Sequence, residues 1–369
     1  SFPVKLMNGV HCRQRRAKGK SWSDDVKKQA NVSQQFEAEA VYGLEKFAAD
    51  ELCRLRAGAV SHLQMYKGAV RFQFSGDPNV LQGLRTVQAV YSVERFDVPR
   101  PRALLGDAHF RRLVAQIAAV RKAQPDQFAT FQIAAAGSDS SVMQRIKREI
   151  AAAVGIPHAD SGDLLIRILP DDEGWRTLVR LTPRPLATRS WRAANYEGAL
   201  NGAVAYCMAL LTQPQPGDSV VNLGSGSGSL LIERCFAGAA RQVIGIDRDP
   251  AVIELARANV GASGTQHRVH LACADMRALP LPASSTDALL ADLPFGQRVG
   301  SHADNLALYP AALAEAARIA KPGARFVVIT HEIRLMDSAL QRAHDWRLVR
   351  VLPIILRGLH PRIYVLQRC

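Results

Sequence analysis

The stretch Val220-Val221-Asn222-Leu223-Gly224-Ser225-Gly226-Ser227-Gly228-Ser229-Leu230-Leu231-Ile232-Glu233 decides how this chain is read. An apolar strand runs into three glycines at alternate positions and then into a helix. Glycine lets the backbone approach a ligand that a Cβ atom would obstruct. The spacing narrows the ligand. A dinucleotide fingerprint, G-x-G-x-x-G, needs Gly or Ala at position 229 or 231, where the chain has Ser229 and Leu231, and no G-K-[ST] is available for a nucleoside triphosphate. G-x-G-x-G at the end of a first strand instead fits S-adenosylmethionine, which carries no phosphate and needs close backbone contact with its methionine part.

Working outward, the next strand ends Val243-Ile244-Gly245-Ile246-Asp247-Arg248-Asp249-Pro250. A carboxylate at that tip can accept hydrogen bonds from both ribose hydroxyls, which gives Asp247 a role in an adenosine site. Asp249 before Pro250 reads as a helix N-cap. A third strand delivers Ala272-Cys273-Ala274-Asp275-Met276, with Asp275 placed to accept from an adenine amino group. The expected donor site is therefore Asn222, Gly224, Ser225, Gly226, Gly228, Asp247, Arg248, Asp275 and Met276, with Asp292 at its border.

The fourth strand runs into Asp292-Leu293-Pro294-Phe295-Gly296, the [DN]-x-P-[FYW] pattern of enzymes that methylate an amino group conjugated to a nucleobase ring. Such an amine is a poor nucleophile because its lone pair is delocalised, so both hydrogens must be held while nitrogen pyramidalises. The Asp292 carboxylate and the Leu293 carbonyl can each accept one hydrogen. Pro294 fixes the turn and removes a competing N–H, and Phe295 offers a stacking face. These four residues are the candidate catalytic set, and a base that reaches them must leave its helix.

The remaining chain supplies the scaffold. Strands are expected at 219–223, 242–246, 269–273, 288–292, 325–330, 347–352 and 363–367, with helical patterns between the first six: a doubly wound sheet closing in a hairpin. Ahead of it lie a helix over 43–52, a strand over 69–74, a helical pattern from Asn79 to Val90, helices at 110–122 and 140–154, and strands at 130–134, 164–169 and 176–181. Arg145 and Arg148 fall off the apolar face of the 140–154 helix, which Met143, Ile146, Ile150 and Val154 define. A further helix over 194–212 joins the two regions.

Charge is uneven. Lys and Arg number 47 against 33 Asp and Glu, a formal net charge of +14, and 29 of those bases lie in residues 1–190. A polyanionic partner is consistent with that surplus. The six cysteines show no metal-ligand spacing, so no metal is expected and a reduced, cytoplasmic protein is. The longest uncharged stretch, 198–217, contains Asn201, two Gln and two Pro, and does not read as a membrane span.

On these residues, together with Gly43-Leu44-Glu45, Arg189-Ser190-Trp191-Arg192 and the closing Gly358-Leu359-His360-Pro361-Arg362-Ile363-Tyr364-Val365-Leu366, the chain resembles the THUMP-domain RNA guanine-N2 methyltransferases. The resemblance implies an α/β chain: a class I (Rossmann-like) seven-stranded methyltransferase domain at 217–369, preceded by an α+β ferredoxin-like domain at 35–100 and a THUMP domain at 101–190. A linker helix is expected at 191–216, and residues 1–34, with eight Lys/Arg and little apolar periodicity, are expected to form a disordered basic arm outside the resemblance. The resemblance implies methylation of guanosine N2 in the tRNA acceptor stem by S-adenosylmethionine, in a monomer without membrane attachment. Arg145, Arg148, Arg189, Arg192 and Arg298 are the candidate RNA contacts. Two departures stand out: Asn222 where the family has an acid, for which Glu233 is a candidate substitute, and Ser225 where it often has Cys. Ribosomal RNA as substrate, DNA adenine methylation, and an RNA-binding protein with a degenerate catalytic domain are the competing readings.

Overall fold

The computed structural model describes residues 34–294 and 302–369. The basic arm, Phe295 and Arg298 therefore lie outside the described residues. The first half of the chain alternates β1 (Gln34–Ala40), α1 (Glu45–Cys53), β2 (Val60–Tyr66), β3 (Ala69–Phe74), β4 (Val87–Phe96), α2 (Asp107–Ala123), β5 (Phe131–Ala135), α3 (Ser141–Val154), β6 (Leu164–Asp171) and β7 (Gly174–Arg180). All seven strands join one sheet in the order β2-β3-β1-β4-β7-β6-β5. The units expected at 35–100 and 101–190 meet along β4 and β7, which pair antiparallel from Tyr91–Arg180 to Phe96–Trp175. One apolar core containing Phe36, Phe72, Leu113, Phe131 and Ile146 runs under both.

The second half contains α4 (Gly202–Leu211), β8 (Ser219–Leu223), α5 (Ser229–Ala237), β9 (Gln242–Asp247), α6 (Pro250–Ser263), β10 (Val269–Cys273), β11 (Thr286–Asp292), α7 (His302–Ile319), β12 (Ala320–Thr330), α8 (Ile333–Arg342), β13 (Trp346–Pro353) and β14 (Arg362–Arg368). Strand order is β10-β9-β8-β11-β12-β14-β13. The first five strands are parallel, and β14 inserts antiparallel between β12 and β13. The order reverses between β8 and β11, and a crevice at such a switch point is where open α/β sheets bind ligands. Apolar cores cover both faces, one against α4 and α5 and the other against α7 and α8. That two-sided burial explains why strands such as β8 read as continuous apolar runs.

Besides β1 and β2, for which the sequence carried no strand expectation, three elements differ from expectation. The helix expected over Asn79–Val90 is a six-residue 3-10 helix, Pro78–Gly83, followed by β4. Asp77 caps that helix through Asn79, and Val87, Ala89, Tyr91 and Val93 then alternate as a strand with both faces covered. No helix forms between β10 and β11, where Pro280 and Pro282 remove two backbone donors. The joining helix starts at Gly202, not Ala194, because the Asn201 side chain caps it by accepting from Ala203 and Val204.

The two halves are docked through buried polar contacts. Glu233, fully buried on α5, accepts from Arg189 at 2.8 Å and from Arg85 at 2.9 Å. Val41 and Leu44 enter the α4/α5 core of the second half.

Candidate active site

The glycine turn after β8 adopts the conformation its composition allows. Gly224, Gly226 and Gly228 have φ of +61°, +52° and +88°, a region that side chains other than glycine enter at a cost. A Cβ on Gly224 would come within 2.8 Å of the Met276 side chain. Ser225 N–H donates to the Ile246 carbonyl at 2.8 Å, tying the turn to β9. Asp247 completes that tie by accepting from the Gly226 N–H at 2.9 Å and the Asp249 N–H at 3.2 Å. A carboxylate has about four lone-pair sites, so Asp247 keeps acceptor capacity for a ligand.

A cavity of about 580 Å³ opens over this turn. Its wall brings together Gly224, Ser225, Gly226, Asp247, Arg248, Asp275 and Met276 with Asp292, Leu293 and Pro294. Gly228 lies behind it as the N-cap of α5. Asp275 faces the cavity but is engaged by Arg277, whose guanidinium donates to it at 2.6 Å; that hydrogen bond holds its carboxyl below the ordinary range.

Asn222 is placed differently from its expected role. It is fully buried beneath the turn, outside the cavity wall. Its Nδ2 donates to the carbonyls of Leu223 at 3.3 Å and Leu290 at 3.1 Å, and its Oδ1 has no partner among the described residues. Glu233 does not substitute for an acid at this position, because Arg85 and Arg189 take it up on the far side of α5.

Asp292 ends β11 at the cavity. No donor among the described residues bonds its carboxylate, and burial pushes that carboxyl up to about 7. The segment after it is held from α7 and β12. Leu293 N–H donates to the Ile329 carbonyl at 3.0 Å. The Pro294 carbonyl accepts from Asn305 Nδ2 at 2.9 Å and the Tyr309 hydroxyl at 2.7 Å, while that hydroxyl also lies 2.6 Å from Thr330 Oγ1. Pinning the Pro294 carbonyl from two side chains fixes the backbone from Asp292 to Pro294, so the Leu293 carbonyl is held in place ahead of any substrate.

Sequence reasoning missed Asn305 and Tyr309. Tyr196 reaches the cavity from the irregular segment before α4, and its ring would lie 3.7 Å from a Cβ on Gly226. Burial raises its phenol, and the charges of Asp247, Asp249 and Asp292 raise it further, so it stands between the donor-side and target-side acids.

The candidate RNA contacts divide. Arg145 and Arg148 are exposed on α3. Arg189 is buried, with its guanidinium on Glu233 and on the carbonyls of Leu186 and Arg85, so it presents no donor at the surface. Arg192 is half-buried and donates to the Leu200 carbonyl and to Ser229 Oγ at the start of α5. Among the described residues no His, Cys, Asp and Glu group is arranged to hold a metal ion, and no helix is long and apolar enough to cross a membrane.

The sheet order, the glycine turn and the acids at successive strand ends define a class I methyltransferase. Residues 189–362 match the family described as RMKL-like, methyltransferase domain. A tRNA (guanine(6)-N2)-methyltransferase of Thermus thermophilus is 30% identical over 62% of this chain and 67% of its own length. The chain belongs to the THUMP-domain RNA guanine-N2 methyltransferase family. A mouse relative, tRNA (guanine(6)-N(2))-methyltransferase THUMP3, is 32% identical over 46% of this chain and 36% of its own length, so the match spans about a third of that protein. In fold, the chain is similar to the crystal structure of TrmN from Thermus thermophilus, with a TM-score of 0.72, 24% identity, and coverage of 91% of this chain and 100% of that one.

Proposed function

We propose that this protein transfers a methyl group from S-adenosylmethionine to the exocyclic N2 of a guanosine in tRNA, in the acceptor stem. The observation that carries the reading is Asp292: a carboxylate without a donor among the described residues, at the junction of a glycine-lined cavity and a backbone segment pinned by Asn305 and Tyr309. The residues fit the donor. Three glycines leave room that Cβ atoms would fill, and Asp247 retains acceptor capacity for ribose hydroxyls. When bound, the donor supplies an electrophilic methyl on a sulfonium.

The chain's own residues then act on the guanine amine. Asp292 accepts one N–H, and its raised carboxyl suits it to keep that proton as the N–C bond forms. The Leu293 carbonyl accepts the second hydrogen, which aims the nitrogen lone pair toward the donor cavity. Pro294 sets the direction of this segment, and Phe295 is assigned as the stacking face. Arg145 and Arg148 on the exposed side of α3 are assigned to RNA phosphates, within the grip we ascribe to residues 101–190.

Asp292→Ala tests the assignment. Transfer to unmodified tRNA is expected to fall by about 10³-fold or more, the loss typical of a preorganised transition-state contact, while tRNA binding stays within a few fold. Unchanged turnover would remove Asp292 from the mechanism.

A further inference from the structure

The turn between β13 and β14 takes no part in the donor cavity, yet the sheet sets it on the same edge. β13 runs antiparallel to β14, β14 antiparallel to β12, and β12 parallel to β11. β13 therefore points the same way as the strand that ends on Asp292. The register is also level: Asp292 lies opposite Ile329, and Arg362 lies opposite both Thr330 and Pro353. Three inter-strand spacings of about 4.8 Å separate β11 from β13, roughly 14 Å along the edge.

The turn is stiff. Leu356 and Leu359 exchange N–H···O bonds of 3.0 Å in each direction, and the two residues between them, Arg357 and Gly358, have φ of +51° and +78°. Two-residue hairpin loops of this kind favour Asn, Asp or Gly at the first position, so arginine sits there at a backbone cost. The root is clamped to the first half of the chain. Ile355 N–H donates to the Tyr42 carbonyl at 3.1 Å, and a Cβ on Gly43 would collide with the Pro353 carbonyl.

The tip is exposed and cationic. Arg357, Leu359 and His360 are exposed, Leu359 at 42%. Lys67 Nζ lies 4.9 Å from the ring centroid of the exposed Tyr42. Glu45, the neighbouring carboxylate, is engaged by the amides of Gly43 and Gly68 at 3.0 and 2.8 Å. Burial lowers the Arg192 guanidinium, the Glu233 charge raises it, and the charges of Arg189 and Arg357 lower it, so the tip is within electrostatic reach of Arg192, which donates to Ser229 Oγ at the start of α5.

We propose that Lys67, Tyr42, Arg357, Leu359 and His360 form a docking surface for the RNA backbone where the strand passes from the first sheet to the catalytic edge. Cations interleaved with an aromatic and an apolar side chain match a polyanion whose bases have left their stack. The inference rests on RNA as substrate, not on guanine as the methylated base.

The test is RNA binding by the full chain, followed by fluorescence anisotropy across a salt series, with an unmodified tRNA transcript and an oligouridine as probes. Arg357→Gly is expected to weaken binding of both by about 3- to 10-fold and to reduce the salt slope by about one. Its unfolding temperature should equal or exceed that of the wild type, because glycine relieves the positive φ. Arg357→Lys should retain most of the binding. Wild-type affinity and slope in Arg357→Gly, or a loss of binding accompanied by a lower unfolding temperature, would overturn the proposal. Salt-dependent RNA binding by the wild type without any N2-methylguanosine product would defeat the catalytic reading and leave the docking surface standing; no RNA binding by the wild type would overturn both.

Discussion

Asn222 donates its side-chain amide to the Leu290 carbonyl across 3.1 Å, bracing the strand that carries the glycine turn to the strand that ends on Asp292. The same nitrogen reaches the Leu223 carbonyl. A carboxylate cannot make either bond.

Asn222→Asp, although it introduces the acid that the family resemblance implies, is therefore expected to place an uncompensated charge against two carbonyls in a fully buried site. We expect a loss of about 3 kcal/mol in stability and no gain in S-adenosylmethionine affinity, measured by thermal unfolding and calorimetry. Tighter donor binding at unchanged stability would mean that this residue faces the donor.

Asp292 predicts a pH dependence. With its carboxyl raised to about 7, the protonated form, which lacks one acceptor, prevails below that value. Transfer should rise about tenfold per unit below the inflection and level off above it. The stability sign is opposite. The folded state holds this proton more tightly than the unfolded state, so the contribution is fully present below the ordinary carboxylate range and is lost as pH rises to about 7. Asp292→Asn should abolish both the rate inflection and that loss of stability. A rate profile that keeps its inflection in Asp292→Asn would assign the titration to another group.

The parts legible in the sequence were those set by local pattern. The bounds of β3 follow from its alternation and those of β8 and β10 were also read correctly, and the glycine turn, Asp247 and Asp292 all fall at strand ends as read. What escaped depends on contacts between distant segments. Tyr309 and Asn305 serve the site through a proline carbonyl 15 and 11 residues away in sequence. Arg189 reads as a surface cation until Glu233, 44 residues on, buries it. The orientation of Asn222 into the sheet interior depends on the neighbouring strand, which no window around residue 222 contains. The first four residues of β4, Val87 to Val90, fall within the helix expected over 79–90, because apolar residues on both faces of the sheet hide strict alternation.

Glu233 joins the two halves of the chain through Arg85 and Arg189. Replacing it by Ala leaves two guanidinium groups without their carboxylate, one of them buried. The expected cost is about 3–5 kcal/mol, read as a lower midpoint in denaturant unfolding. A midpoint within experimental error of the wild type would mean that the halves are held by apolar contacts alone.

Tyr309→Phe removes one of the two donors that fix the Pro294 carbonyl. Stability should fall by about 1–2 kcal/mol. The transfer rate should fall by about tenfold with little change in RNA affinity, since the lost bond positions Asp292 to Pro294 and does not touch RNA. An equal rise in KM at constant kcat would assign Tyr309 to substrate binding instead.

The most direct test of the central claim is the identity of the methylated nucleoside. Purified protein is incubated with S-adenosylmethionine labelled in its methyl group and, separately, with unmodified tRNA, ribosomal RNA and duplex DNA, and each product is digested to nucleosides. The account predicts label in N2-methylguanosine from tRNA. Label confined to N6-methyladenine from DNA, or no label in any guanosine, would contradict it.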